Sequence, residues 1–148
     1  EISACLVGSE MCIRDRFNRD GGPEPPVGIS VPQAMYDDFV KISEPIQKIR
    51  PDYPFEVKVR EPRKRPTRMG GTDASVFAIE GVPTLGFTTE DFKGYDFDYG
   101  EIWHTERDLY TKNIPEYQEH TATVTAIIAL GVANLDKQLS REGLYTEE

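Results

Sequence analysis

The chain has 148 residues, of which 38% are hydrophobic and 29% are charged. This length suits one domain, and the composition allows a packed core and excludes wholesale disorder. Its 17 basic and 26 acidic residues give a formal net charge of −9, which argues against a nucleic-acid partner because phosphate binding requires a basic face. The longest apolar run falls far short of the roughly 20 residues of a transmembrane helix, so no membrane span is expected.

The first sixteen residues differ in composition from the rest of the chain. Within them, LVGSEMCIRD at positions 6–15 resembles the in-frame translation of a sequencing adapter. We therefore interpret residues 1–16 as a non-native segment and treat residues 17–148 as the genuine domain. Both cysteines, Cys5 and Cys12, lie in the first segment. The remaining chain can therefore form neither a disulfide nor a thiolate metal site.

The first half of the genuine chain predicts strand, helix and strand. Residues 17–20 resemble the end of a strand, after which Asp20 lies at the start of a glycine-rich loop. Residues 27–31 resemble a short strand. Apolar residues spaced four and three apart predict an amphipathic helix within residues 30–50. The alternation of apolar and charged residues over 55–59 predicts a strand with one solvent-exposed face.

The second half predicts a short helix, a buried strand and a loop. Residues 73–80 favour a helix ended by Gly81, and residues 84–88 favour a buried strand. Residues 89–104 are acidic and aromatic and lack periodicity, which predicts a long loop. The basic run before this half, residues 60–68, is interpreted as a solvated loop.

A long helix closes the chain. Asn113 followed by Glu116 predicts an N-cap with its reciprocal partner, and the helix is expected to run to about Leu139. His120, inside this helix, is interpreted as a surface or satisfied core residue. Because helices alternate with strands, the predicted fold class is α/β.

Two side chains are candidates for metal chemistry. His104 follows the glycine-rich and aromatic loop and precedes Thr105, a placement that would present its imidazole to a cleft. One ring nitrogen of such a histidine ligates zinc while the other is oriented by an acceptor. Asp20, at a strand-to-loop transition, could likewise bring a carboxylate to a metal.

A third candidate is the segment Gly70-Gly71-Thr72-Asp73, directly before the short predicted helix. Backbone N–H groups at such a position could face an anionic group. A plain N-cap by Thr72 or Asp73 explains the same residues. The residues alone leave both interpretations open.

In combination, the motifs resemble the C-terminal half of the M28 family of zinc peptidases. The matching segments are GGTDASVF at 70–77, GVP at 81–83 and HTERD at 104–108, followed by a long helix. The NRDGG run at 18–22 resembles the family's metal-binding aspartate segment, most closely in the carboxypeptidase Q-like branch. The resemblance implies a three-layer α/β sandwich with a mixed sheet flanked by helices.

The resemblance also implies a function and a site. The intact protein is expected to be an exopeptidase or dipeptidase that acts on small peptides with two zinc ions. Asp20 would ligate one zinc and His104 the other, while Gly71, Thr72 and Asp73 would lie beside the substrate. The aromatic loop before His104 would line the mouth of the cleft. Members of this branch are typically exported, which implies an extracytoplasmic location.

The chain departs from the family pattern in its N-terminal part. The family's first histidine ligand, its bridging aspartate and its Glu-Glu pair, which includes the general base, precede the counterpart of Asp20 and are absent here. Because zinc sites need three or four protein donors, this chain is expected to be inert by itself. Two alternatives stay open: a metal-free binding or receptor-type domain, and a glutaminyl cyclase-like acyltransferase.

Overall fold

The structure is a computed structural model that describes residues 15–19, 22–96 and 99–146. Asp20 and residues 1–14 lie outside the described residues. The elements are β1 (Arg16–Phe17), β2 (Pro26–Val31), α1 (Tyr36–Ile49), β3 (Glu56–Val59), α2 (Ala74–Ile79), β4 (Thr84–Leu85), β5 (Phe87–Thr89), α3 (Tyr99–Ile102) and α4 (Pro115–Ala133). Gln33–Met35 and Tyr110–Lys112 form short 3-10 helices.

Within the described residues, the strands form two small sheets. β1 pairs with β4 in parallel. β2 lies between β3, its parallel neighbour, and β5, its antiparallel neighbour. Helices and mixed strand pairing confirm the predicted α/β class.

The helix predicted within residues 30–50 exists but begins later. β2 continues through Val31, and α1 starts at Tyr36. Phe39 and Ile46 of its apolar stripe are fully buried, whereas Ile49 is 57% exposed at the last turn. The stripe therefore faces the core over most of the helix and leaves it at the end.

The single strand predicted at residues 84–88 is wrong, because the segment is divided between the two sheets. Thr84 and Leu85 pair with β1, and Phe87 to Thr89 pair with β2. Gly86 separates them.

Three further expectations need correction. Residues 89–104 are not all loop, since α3 forms at Tyr99–Ile102. The N-cap position of α4 is Ile114 rather than Asn113, and no side chain caps the helix. The helix ends at Ala133, although Leu139 beyond it is buried in the core.

The core lies between the β2 sheet and the two long helices. It joins Ile29 of β2, Phe39 and Ile46 of α1, and Val124 and Ile128 of α4. A Cβ atom at Gly131 would collide with the side chain of Ile42, so glycine lets α4 approach α1 closely. In the described part of the chain, no helix is long and apolar enough to span a membrane.

Candidate functional site

An open cleft of about 690 Å³ lies beside the beginning of α4. One wall comes from the segment after β1, with Arg19, Gly22 and Pro23, and the other comes from α3 and the residues that follow it. His104 lines this cleft. Its remaining lining residues are Tyr99, Ile102, Trp103, Asp108, Leu109, Tyr110, Lys112, Asn113, Gln118 and Thr121.

His104 has a left-handed backbone conformation, with φ of 58°. Such a conformation is unusual for a residue with a Cβ atom, and strained residues cluster at functional sites. The side chain is exposed, and its ring lies 4.7 Å from the indole of Trp103, centroid to centroid. The turn after α3 therefore directs an imidazole and an indole into the same opening.

Thr105 stabilises this turn with its side chain and its backbone. Its hydroxyl donates to the carbonyl of Glu101 at 2.8 Å and accepts from the backbone N–H of Arg107 at 3.2 Å. Its own N–H donates to the carbonyl of Ile102 at 3.0 Å. These bonds satisfy carbonyls at the end of α3 and hold the conformation of His104.

The described residues on either side of Asp20 both line the cleft. The guanidinium of Arg19 donates to the carbonyl oxygens of Gly22 at 2.6 Å and Glu24 at 2.8 Å. Arg19, Gly22 and Pro23 thus line the same cleft as His104.

The Gly71, Thr72 and Asp73 segment lies in a different cavity, of about 470 Å³. The two cavities share none of their lining residues. The structure therefore does not bring this segment together with His104 in one cavity.

Asp73 occupies the N-cap position of α2, but its side chain makes no capping hydrogen bond. The backbone carbonyl of Thr72 instead accepts from the N–H of Ser75 at 3.0 Å. The plain capping interpretation of these residues is therefore wrong for the Asp73 side chain.

A polar and aromatic cluster, which residue patterns did not reveal, lies on the other side of the α4 start. Glu116 accepts hydrogen bonds from the Lys93 ammonium, the Tyr95 hydroxyl and, at 2.9 Å, the Tyr53 hydroxyl. These donors, with Lys93 foremost, lower the pKa of Glu116 to about 2. The Tyr117 ring contacts the rings of both Phe92 and Tyr95. We call Tyr53, Phe92, Lys93, Tyr95, Glu116 and Tyr117 the Glu116 cluster.

His120 borders this cluster and is fully buried. Its ring stacks on Tyr53 at 4.1 Å, and its Nε2 lies 3.0 Å from the carbonyl oxygen of Pro26, to which an Nε2–H would donate. Burial lowers the pKa of His120. The interpretation of His120 as a satisfied core residue is confirmed at Nε2.

Much of the basic run is bound to the protein itself. Arg63 donates to the Thr84 hydroxyl at 2.8 Å, and Arg65 donates through Nε to the carbonyl of Ile79 at 2.9 Å. Arg60 donates to the carbonyl of Leu144 at 3.4 Å. These arginines bond to residues of α2, β4 and the C-terminal segment, while residues 61–65 and 67–68 form no helix or strand and remain exposed. The prediction of a solvated loop is confirmed, and three of its arginines also bond to the protein.

The expected zinc site involves His104 together with Asp20, which lies outside the described residues. Within residues 15–19, 22–96 and 99–146, no group of three or more His, Cys, Asp or Glu side chains converges. Since zinc sites use three or four protein donors, the zinc site stays a prediction.

Comparison with known protein families, with curated proteins and with solved structures finds no match to this chain.

Proposed function

We propose that the chain is the C-terminal part of an M28-like zinc peptidase, and that the intact protein hydrolyses peptide bonds in small peptides. The observation that carries the proposal is the shared cleft: His104 lines it together with Arg19 and Gly22, which flank Asp20. The ordered motifs around these residues support the same interpretation.

The proposal assigns a metal ligand to each side of the cleft. His104 would contribute an imidazole and Asp20 a carboxylate, and the further donors would come from residues that this chain does not contain. A pair of bound zinc ions supplies an activated water and charge stabilisation for hydrolysis. The chain's own residues would hold the ions and shape the cleft, whereas the general base would come from the missing part of the domain.

The proposed fold is a three-layer sandwich around one mixed sheet. Its support is the segment Thr84 to Thr89, whose first half pairs with β1 and whose second half pairs with β2. A continuous, bent strand at this position would join both small sheets into one. Two long helices, α1 and α4, already cover one face of the β2 sheet.

The test uses the protein encoded by an uninterrupted upstream reading frame and the substitution His104→Asn. Asparagine tolerates the left-handed backbone but lacks the imidazole. Replacing an outer-shell partner alone costs about 10- to 100-fold in metal affinity or activity, so loss of a ligand should lower peptidase turnover by at least about a hundredfold. Zinc content should fall as well.

The control is Lys48→Ala, an exposed residue in the last turn of α1, which should keep full turnover and zinc content. Thermal unfolding of both variants checks that the fold survives. Undiminished peptidase turnover in His104→Asn would reject the ligand role. Binding of a small peptide without any hydrolysis by the intact protein would favour the receptor-type alternative.

A further inference from the structure

Large hydrophobic side chains remain exposed around the His104 cleft. Trp103 is 59% exposed, Leu109 58% and Tyr110 91%, and all three line the opening. A group of exposed apolar side chains that lines a cleft is typical of a ligand-binding site, whereas isolated exposed apolar residues are common on any protein surface. Leu109 and Tyr110 lie on the side of the cleft that leads into α4.

A pair of side-chain amides lies next to this apolar surface. Asn113 Nδ2 donates to Gln118 Oε1 at 3.0 Å, and both residues line the cleft. This bond uses neither Asn113 Oδ1, an acceptor, nor Gln118 Nε2, a donor, so the pair can offer one of each to a ligand. A peptide group presents the complementary N–H and C=O.

The cleft also differs from the rest of the molecule in charge. Among the described residues, its lining includes the cations Arg19 and Lys112 and the carboxylate of Asp108, whereas the whole chain carries −9. Lys112 is 3.6 Å from Glu101, and both side chains are about half exposed, at 43% and 51%. Such a long, exposed ion pair contributes little, so a ligand carboxylate can compete for the ammonium.

We propose that this end of the cleft is a specificity subsite for small peptides that carry an aromatic side chain and a free C-terminal carboxylate. The ligand's ring packs on Leu109 and Tyr110, the amide pair binds its peptide group, and Lys112 pairs with its carboxylate. The choice of a peptide as ligand rests on the proposed function. The subsite itself requires neither metal nor turnover.

The chain carries its own reporter, because Trp103 is its one tryptophan and lies in the cleft. We would titrate the 148-residue chain, without metal, with Gly-Phe, Gly-Ala and the C-terminal amide of Gly-Phe, and follow indole fluorescence. Burying an aromatic side chain should make Gly-Phe bind about tenfold more tightly than Gly-Ala. The amide of Gly-Phe should bind about threefold more weakly than Gly-Phe itself.

Two variants localise the effect. Tyr110→Ala should bring the ratio between Gly-Phe and Gly-Ala close to one, whereas Tyr110→Phe, which keeps the ring, should preserve it. Tyr110 is 91% exposed, so neither substitution should unfold the chain, and circular dichroism checks this. Equal affinities for Gly-Phe and Gly-Ala in the original chain, or fluorescence unchanged by all three ligands, would overturn the subsite.

The two proposals fail in different ways. If the chain prefers Gly-Phe but the intact protein holds no zinc and hydrolyses nothing, the subsite stands and the peptidase assignment falls. If the intact protein hydrolyses peptides without any preference for an aromatic residue, the assignment stands and the subsite falls.

Discussion

The two sides of the α4 start use similar residue types in opposite ways. In the Glu116 cluster, the lysine, the carboxylate and the tyrosine hydroxyls bond to one another, and the Tyr117 ring is fully buried. Around His104, Trp103 and Tyr110 remain exposed, and an imidazole points into an open cleft. The first arrangement stabilises the fold, whereas the second is open to a ligand.

Hydrogen bonding within the region, rather than residue type, therefore separates structural residues from candidate functional residues: Tyr95 is 51% exposed, yet its hydroxyl donates to Glu116. Both regions contain tyrosines, a lysine, a carboxylate and one of the two histidines. Substitutions of matched residues in the two regions test this contrast.

The largest contrast is expected between two tyrosines. Tyr117→Ala removes a buried ring that packs on Phe92 and Tyr95, so it should lower the free energy of unfolding by about 3–5 kcal/mol. Tyr110→Ala removes a side chain that is 91% exposed and should change it by less than about 0.5 kcal/mol. Denaturant unfolding of both variants measures the difference, and equal losses would contradict it.

A smaller effect is expected from the backbone at His104. Because its φ is 58°, glycine should suit the position better than alanine. The free energy of unfolding of His104→Gly should exceed that of His104→Ala by about 1 kcal/mol. A more stable alanine variant would show that the left-handed conformation is not held in solution.

The Glu116 cluster should make stability depend on acid pH. The folded-state pKa of Glu116, about 2, lies below its ordinary value of 4.5, so the folded state binds this proton less readily than the unfolded chain does. The contribution is complete above about pH 4.5 and is lost as the pH falls towards 2. Glu116→Gln should flatten the stability profile in this window.

His120 should make the free energy of unfolding depend on pH closer to neutrality. Its pKa is lowered from 6.5, so the unfolded chain takes up this proton first, and stability should decline as the pH falls below about 6.5. Its buried Nδ1 has no hydrogen-bond partner within the described residues, so protonation there creates an unsatisfied N–H. His120→Gln should remove this decline, and chemical denaturation between pH 7 and 5 would measure it. Replacement of the exposed His104 by Gln should leave it in place.

Residue patterns predicted the local elements and missed the long-range pairings. The helix around Phe39 follows from periodicity, which is a property of neighbouring residues. The short strand predicted at residues 27–31 agrees with β2 to within one residue. The division at Gly86 depends on which sheet each half joins, and no local pattern encodes it. The predicted cap involving Glu116 failed because Lys93 and Tyr53, distant in sequence, bind the carboxylate instead.

The candidate site shows the same limit. His104 stood out because of the motif around it, and the structure adds its left-handed backbone and its neighbour Trp103. The amide pair of Asn113 and Gln118 carries no sequence signal, since it exists only once α4 begins at Pro115. Asp20 lies outside the described residues, and its role remains a prediction from resemblance.

The most direct measurement tests whether Asp20 borders the same cleft as His104. With Cys5 and Cys12 replaced by serine, Asp20→Cys would carry a nitroxide label, and the fluorescence of Trp103 would be read before and after chemical reduction of the label. Since Trp103 packs against His104, strong quenching that reduction reverses is expected. Identical fluorescence in both states would place Asp20 away from the cleft and contradict the shared metal site.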